Sequence, residues 1–451
     1  MIKTSAIFLF LNYCLGKKMD MSMVVAKIDW RQLYTFASRQ ALLGFCFDGI
    51  ERLTKEFSEE LKQNPMGRDL LMTWMGAAQQ IHRQSMKVNA VAGKLFSMLR
   101  EDGFRCCNLK GQGNALMYPK PYSRTPGDID VWVNASREYL TEYAKRHFNL
   151  EDDIRFHHLA TTMDGVPIEL HFFPCSMNNP IYHARLQKWF RRNADLQCSH
   201  IVGLPDGAGD IAIPTTAFNV IYQLCHLYHH FFDEGIGMRQ IIDYFLVVND
   251  FSKNVFLNND LSNPSVSLSK GSSTAFPKPL SPQGTGDVTA LRCSEPLRSK
   301  DGGPSKVSPD CAGWDRLAIE GDNSAGSTTV VTSSASTALV VVQRELKHLG
   351  LWKFAGAVMY VLHEALGLPE EKMIAPMDEK RGKLLLAEIL NGGNFGKHFT
   401  KYGHFTQQGM AKKYFLKIWR NMHFVRYYPA EALSEPIFRT WHFFWRLKHR
   451  R

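Results

Sequence analysis

Asp128 and Asp130 stand two residues apart in RTPGDIDVWV, with Ile129, Val131 and Val133 at the alternate positions. On a strand, residues i and i+2 face the same way. The spacing therefore predicts two carboxylates side by side and a row of apolar side chains turned to a core. Like charges held that close raise each other's pKa unless a cation lies between them. A divalent metal is the usual solution, and oxygen ligands suit Mg²⁺. The rival reading is an acidic turn at a strand start, which a lone GDID more often marks.

A second stretch supplies a third carboxylate. RFHHLATTM and VPIELHFF both read as strands, joined by Asp164-Gly165, a two-residue hairpin signal. A loop of that length pairs Met163 with Val166. His158 then lies opposite His171, and Ala160 opposite Glu169. By alternation His158, Ala160, Glu169 and His171 share one face, while Leu159, Ile168, Leu170 and Phe172 share the other. A hairpin that turns its polar face to water has the same alternation, so the conjunction of this face with the Asp pair is the informative feature.

Candidate phosphate groups lie upstream. LKGQG follows a short apolar run and opens a helix. Glycine lets backbone approach a phosphate closely, and a helix N-terminus attracts anions. Lys110 adds a point charge next to Gly111, and Arg124 a bidentate fork. Downstream, QLCHLYHH puts His226 and His230 four apart on one helical face. That spacing can bind zinc, but the Glu that HExxH requires is missing, and packing or substrate contact is the preferred reading. Arg239 and Asp243, also four apart, read as a helix pair, with lining of a cleft as the alternative.

The elements that must hold these groups follow from periodicity. Residues 30–63 carry an apolar stripe at helical spacing, and a second long helix is expected from about Asp69 to Arg100. The period then changes to that of strands, with a helix at 136–148 that Ser136 can cap. Residues 104–173 thus form a small α/β unit. Helical patterning resumes over 215–250 and again after 338. Between them, about 251–338 is rich in Ser, Gly and Pro, and its only aromatics are Phe251, Phe256, Phe276 and Trp314. Such a segment buries too little apolar surface to offset its ordering entropy, and it is expected to be disordered.

Lys and Arg exceed Asp and Glu by 11 over 451 residues, which favours anionic partners and says nothing of fold. Nine cysteines without a CxxC pair fit a reduced, cytoplasmic chain. The first 25 residues hold a short apolar run, read as a disordered leader or start artefact, with Met19, Met21 and Met23 as alternative starts. No segment is apolar for long enough to cross a bilayer. The tail FRTWHFFWRLKHRR reads as a final helix with aromatics on the body and charges in water; weak contact with anionic membrane surfaces or nucleic acid is the sharper alternative.

The residues Leu109-Lys110-Gly111, Arg124, Asp128-Ile129-Asp130 and Glu169-Leu170-His171 resemble the pattern of the nucleotidyltransferase superfamily that includes DNA polymerase β and the aminoglycoside nucleotidyltransferases. The closer resemblance is to its bacterial group of uncharacterised nucleotidyltransferases. The likeness implies an α+β fold, a small mixed sheet flanked by helices; the patterning adds a mostly helical C-terminal domain, interrupted by the disordered segment, which has no counterpart in the family and reads as an insertion. The division expected is a leader (1–25), N-terminal helices (26–103), a nucleotidyltransferase core (104–200), and a helical domain in two parts (201–250 and 339–451) around the insertion (251–338). It also implies transfer of a nucleoside monophosphate from an NTP, ATP by preference, to an unidentified acceptor hydroxyl. Asp128 and Asp130 would hold two Mg²⁺ (or Mn²⁺) ions, and Glu169 would complete the metal site and help deprotonate the acceptor. Lys110, Gly111 and Arg124 would hold the triphosphate, with His158 and His171 beside the nucleotide. No stable nucleic-acid partner is expected. A non-catalytic nucleotide-binding regulator, or a surface-binding protein using the basic tail, are the rival readings.

Overall fold

The computed structural model describes residues 4–150, 155–260, 335–399 and 410–449. Helices α1 (Thr4–Cys14), α2 (Ser22–Val25), α3 (Trp30–Arg39), α4 (Leu43–Glu56), α5 (Ser58–Gln63) and α6 (Arg68–Glu101) come first. The sheet region follows, with β1 (Cys106–Asn108), α7 (Gln112–Ala115), β2 (Ile129–Val133), α8 (Arg137–His147), β3 (His158–Met163), β4 (Val166–His171) and α9 (Pro180–Ser199). A small hairpin, β5 (Ile201–Gly203) and β6 (Asp210–Ala212), leads to α10 (Thr216–Asp233) and α11 (Met238–Asp260). The chain ends in α12 (Ala335–His348), α13 (Trp352–Leu366), α14 (Glu379–Gly392), α15 (Met410–Met422) and α16 (Pro429–His449). This is the expected α+β architecture with a small mixed sheet and a helical C-terminal part.

The sheet runs β1-β2-β4-β3, with β2 parallel to β4 and the outer pairings antiparallel. The β3–β4 register is the one that the Asp164-Gly165 loop demands: His158 faces His171, and Ala160 faces Glu169. Asp164 and Gly165 both have positive φ, 52° and 74°, as a primed two-residue turn requires. Ser136 caps α8, accepting from the Tyr139 amide.

Two apolar cores lie on opposite faces of the sheet. One joins Ile129, Val131 and Val133 of β2 to Val88, Leu95 and Leu99 of α6 and to Leu140 of α8. The other is the helical body, which reaches the sheet through Trp132. Trp132 stacks on Phe218 of α10, ring centres 6.3 Å apart and planes within 10°.

Four expectations need correction. Residues 4–14 are not a disordered leader but a helix whose Phe10, Leu11 and Tyr13 are buried. Its apolar run gains a partner in α13, whose C-terminal carbonyls also accept hydrogen bonds: Asn12 donates to Ala365 O (3.0 Å) and Lys17 to Leu366 O (2.6 Å). The stripe at 30–63 breaks into three helices, with Ala41 at φ 57° closing the first. The region from 201 opens with a hairpin rather than a helix. The insertion read at 251–338 lies outside the described residues from 261 to 334, but its edges are helical, since α11 continues to Asp260 and α12 begins at Ala335.

In the tail, Phe438, Trp441 and Trp445 pack around Phe156 at 5.1–6.1 Å, while Ile437 and Phe444 face outward. At the start of α16, the buried Glu431 carboxyl accepts from the amides of Asn178 (2.6 Å) and Asn179 (3.2 Å) at the N-terminus of α9. Burial pushes this carboxyl up to about 7 despite the two amides. A carboxyl raised in the folded state favours folding below its unfolded pKa, and that contribution is lost as pH rises through the folded value. Stability measured by urea unfolding should therefore fall by about 3 kcal/mol between pH 4.5 and 7.5 from this group. Glu431→Gln should lack that share of the slope; an identical slope in the variant would refute the assignment.

Candidate functional site

Alternation along β2 and β4 builds the site. With Ile129 and Val131 committed to one core, Asp130 must point to the opposite face. With Ile168 and Leu170 in the same core, Glu169 and His171 must point there too. Parallel register then sets Asp130 beside Glu169, and Trp132 beside His171. The hairpin adds His158. Asp128 sits at the mouth of β2 and lines one pocket with Asp130, Lys110, Gly111 and Arg239. Lys110 arrives because the Leu109 amide donates to Asp130 O at 3.0 Å, extending β1 along β2. Gly111 then turns with φ 62° and ψ −100°, a conformation a side chain would strain, and α7 begins.

Charge within the cluster is closely compensated. Lys110 Nζ lies 3.1 Å from Asp130 Oδ1. His171 Nε2 is 3.1 Å from the same oxygen and 3.3 Å from Glu169 Oε2. Burial drives the Asp130 carboxyl upward, but Lys110 and the hydrogen bond from His171 outweigh it and hold it well below the usual carboxylate range. His171 shows the reciprocal effect: burial disfavours its charge, yet Asp130 and Glu169 raise it to about 9. Glu169 is lowered, burial being outweighed chiefly by the hydrogen bond from His171. Asp128 lacks that support. Repulsion from Asp130, then burial, push it up to about 6.

Asp130 Oδ2 is buried without a hydrogen-bond partner. Asp130, Glu169 and His171 each offer a ligand atom, all within 4.8 Å of one another. An orphaned carboxylate oxygen among acidic groups is the donor set a hard divalent cation prefers, so these residues fit the metal that the resemblance implies.

The cations for phosphate are arranged differently from the expectation. Arg124 lines the pocket, but its fork is closed on Asp243 through Nε (2.9 Å) and Nη2 (2.8 Å). Tyr118 donates to the same carboxylate at 2.7 Å. Asp243 therefore pairs across elements, not with Arg239 along its own helix. Arg239 is left to line the cleft, with Nη1 donating to Thr125 O (2.9 Å) and Nε buried without a partner. The i,i+4 spacing had flagged Arg239, but nothing in it distinguished cleft from helix surface. Gln223 and Asn114, joined by side-chain hydrogen bonds of 2.6 and 3.0 Å, complete the wall. His226 and His230 have their Nε2 atoms 3.0 Å apart, and Lys110 Nζ lies 2.7 Å from Nε2 of His226, which fits the packing reading.

The Arg124–Asp243 pair is buried on both sides. Asp243→Ala leaves a buried guanidinium uncompensated and should cost about 3–5 kcal/mol in denaturant unfolding. Arg124→Met with Asp243→Leu should recover most of that loss. Equal losses in the single and double variants would show that the pair is not what holds this wall.

A family model described as uncharacterised nucleotidyltransferase matches residues 26–262. No curated protein and no solved structure matches the chain. The matched stretch is more than half of the chain and carries Lys110, Asp128, Asp130, Glu169 and Arg239; the protein belongs to the uncharacterised nucleotidyltransferase family.

Proposed function

We propose that this protein is a metal-dependent nucleotidyltransferase that moves a nucleoside monophosphate from an NTP, ATP by preference, to an acceptor hydroxyl. One observation carries the reading. Asp130 and Glu169 are register partners on one sheet face, with Asp128 at the strand mouth and the cationic Lys110 and Arg239 lining the same pocket.

Asp128, Asp130 and Glu169 would hold Mg²⁺ or Mn²⁺, which supplies charge neutralisation at the α-phosphate and acidifies a bound hydroxyl. Lys110 stays charged despite burial, because Asp130, Asp128 and Glu169 outweigh the desolvation. It is a point charge for the triphosphate, and Arg239 is the second. The acceptor oxygen attacks the α-phosphorus, the bond to the bridging oxygen of the β-phosphate breaks, and pyrophosphate leaves with that electron pair. Glu169 takes the hydroxyl proton at its carboxylate, and His171, hydrogen-bonded to Asp130 and 3.3 Å from Glu169, orients it. Arg124 and His158 act as positioning groups, through Asp243 and Glu169 respectively. The acceptor would be met by the helical part, which lines the pocket with Gln223, Arg239 and Gln240.

No described helix is long and apolar enough to cross a membrane. The described cysteines are free and buried, which supports a reducing, cytoplasmic setting.

Incubation with each α-labelled NTP, Mg²⁺ and a cell extract should move label to an acceptor. Asp128→Asn and Asp130→Asn should each lower that transfer on the order of 10³-fold, and chelator should abolish it. Equal labelling by wild type and the double variant, with all four NTPs, would sink the reading.

A further inference from the structure

Beside the carboxylates lies a cluster of three histidines, of which the transfer step above uses only His158 and His171, and those as positioning groups. His157, His158 and His171 each offer a ring nitrogen, and these atoms lie within 4.8 Å of one another. Their ring centres are 4.3, 5.1 and 5.5 Å apart. Three imidazoles on one tetrahedral zinc, with Zn–N of about 2.0–2.1 Å, hold their ring centres roughly 5 Å apart. His158 and His171 are 2% and 4% exposed, and Nδ1 of each is buried without a hydrogen-bond partner. His158 Nδ1 does come within 3.3 Å of Glu169 Oε2, but out of line for a hydrogen bond. Buried ring nitrogens with nothing to bond are costly. Two in one cluster that also holds a third imidazole point to a missing ligand.

We propose that His157, His158 and His171 form a site for a borderline transition metal, zinc by preference, separate from the hard-cation site on the carboxylates. Three protein nitrogens and one open position is a familiar zinc arrangement. His171 joins the two sites. Its Nε2 is taken by Asp130 Oδ1 at 3.1 Å, which leaves Nδ1 as the metal ligand. A ligating histidine whose other nitrogen donates to a carboxylate is the usual outer-shell arrangement, and it fixes the ring. Zinc would form its bond to the Nδ1 lone pair, and any proton carried there would leave to solvent. The half-buried His157 gives the ion its entry side. The zinc would then set the ring that orients both Asp130 and Glu169.

The test uses the full chain, stripped with chelator and titrated with Zn²⁺ in the absence of nucleotide. Calorimetry should show one tight zinc equivalent, and X-ray absorption at the zinc edge should show imidazole scattering from three rings. His157→Gln should weaken zinc at least about 100-fold and leave Mn²⁺ binding at the carboxylates intact. Asp128→Asn should do the reverse. Retention of zinc by His157→Gln with its loss in Asp128→Asn would place the ion on the carboxylates and overturn the proposal. So would an all-oxygen shell in the wild type, a readout that needs no variant to fold, or the absence of any tight zinc. None of these readouts involves transfer of a nucleotide, so failure here leaves that reading untouched, and failure there leaves this one.

Discussion

Asp130 and Glu169 lie side by side because β2 runs parallel to β4 with those two residues in register. Everything else at the site depends on that pairing. A slip of one residue would turn Ile168 and Leu170 to the charged face and drive Glu169 into the apolar core. The cores on the two sides of the sheet forbid it. Ile129, Val131, Ile168 and Leu170 must stay against α6, and Trp132 must stay against Phe218. Register is thus enforced by apolar packing, and the acidic groups are carried along.

Gathering acids in this way is unfavourable by itself, and the chain answers with cations of fixed position. Lys110 and His171 share one oxygen of Asp130. Both come from the elements that flank β2, so the same hydrogen-bonded sheet that concentrates the acids also delivers their counter-charges. The compensation is uneven. Asp130 is held ionised, while Asp128, at the strand mouth, keeps the strain of like-charge repulsion. An orphaned oxygen and a strained carboxyl at one pocket are what a divalent cation would relieve.

The sheet face was largely legible in the sequence because it rests on short-range rules. A two-residue Asp-Gly loop leaves one register, and alternation then places His158, Glu169 and His171 together. Ser136 as a cap and α6 as a long helix follow from equally local signals. What escaped is long-range. The partner of Arg124 is Asp243, 119 residues away, and the spacing of Asp243 from Arg239 suggested a different pairing. Helix α1 depends on α13, some 350 residues on, so its apolar run looked like a leader. Strands β5 and β6 are three residues each, too short for alternation to register. His157 was passed over because strand alternation turns it away from His158; the bend before β3 brings the two rings to 4.3 Å.

The helical part contributes to the cleft from the middle of α10 and the beginning of α11, and the described part of α11 ends far from it. Arg239 and Asp243 lie in the first two turns of α11. At 1.5 Å rise per residue, Asp260 is about 25 Å further along the axis from Asp243. The chain therefore leaves α11 at the end remote from the pocket, and re-enters the described fold at Ala335 to build α12 against α11 through Val342 and Leu346. Tyr118, Arg124 and Asp243 tie the near end of α11 to the segment leading into β2. Interruption at the far end leaves this tie intact. The described helix that bears the site residues thus ends well away from them.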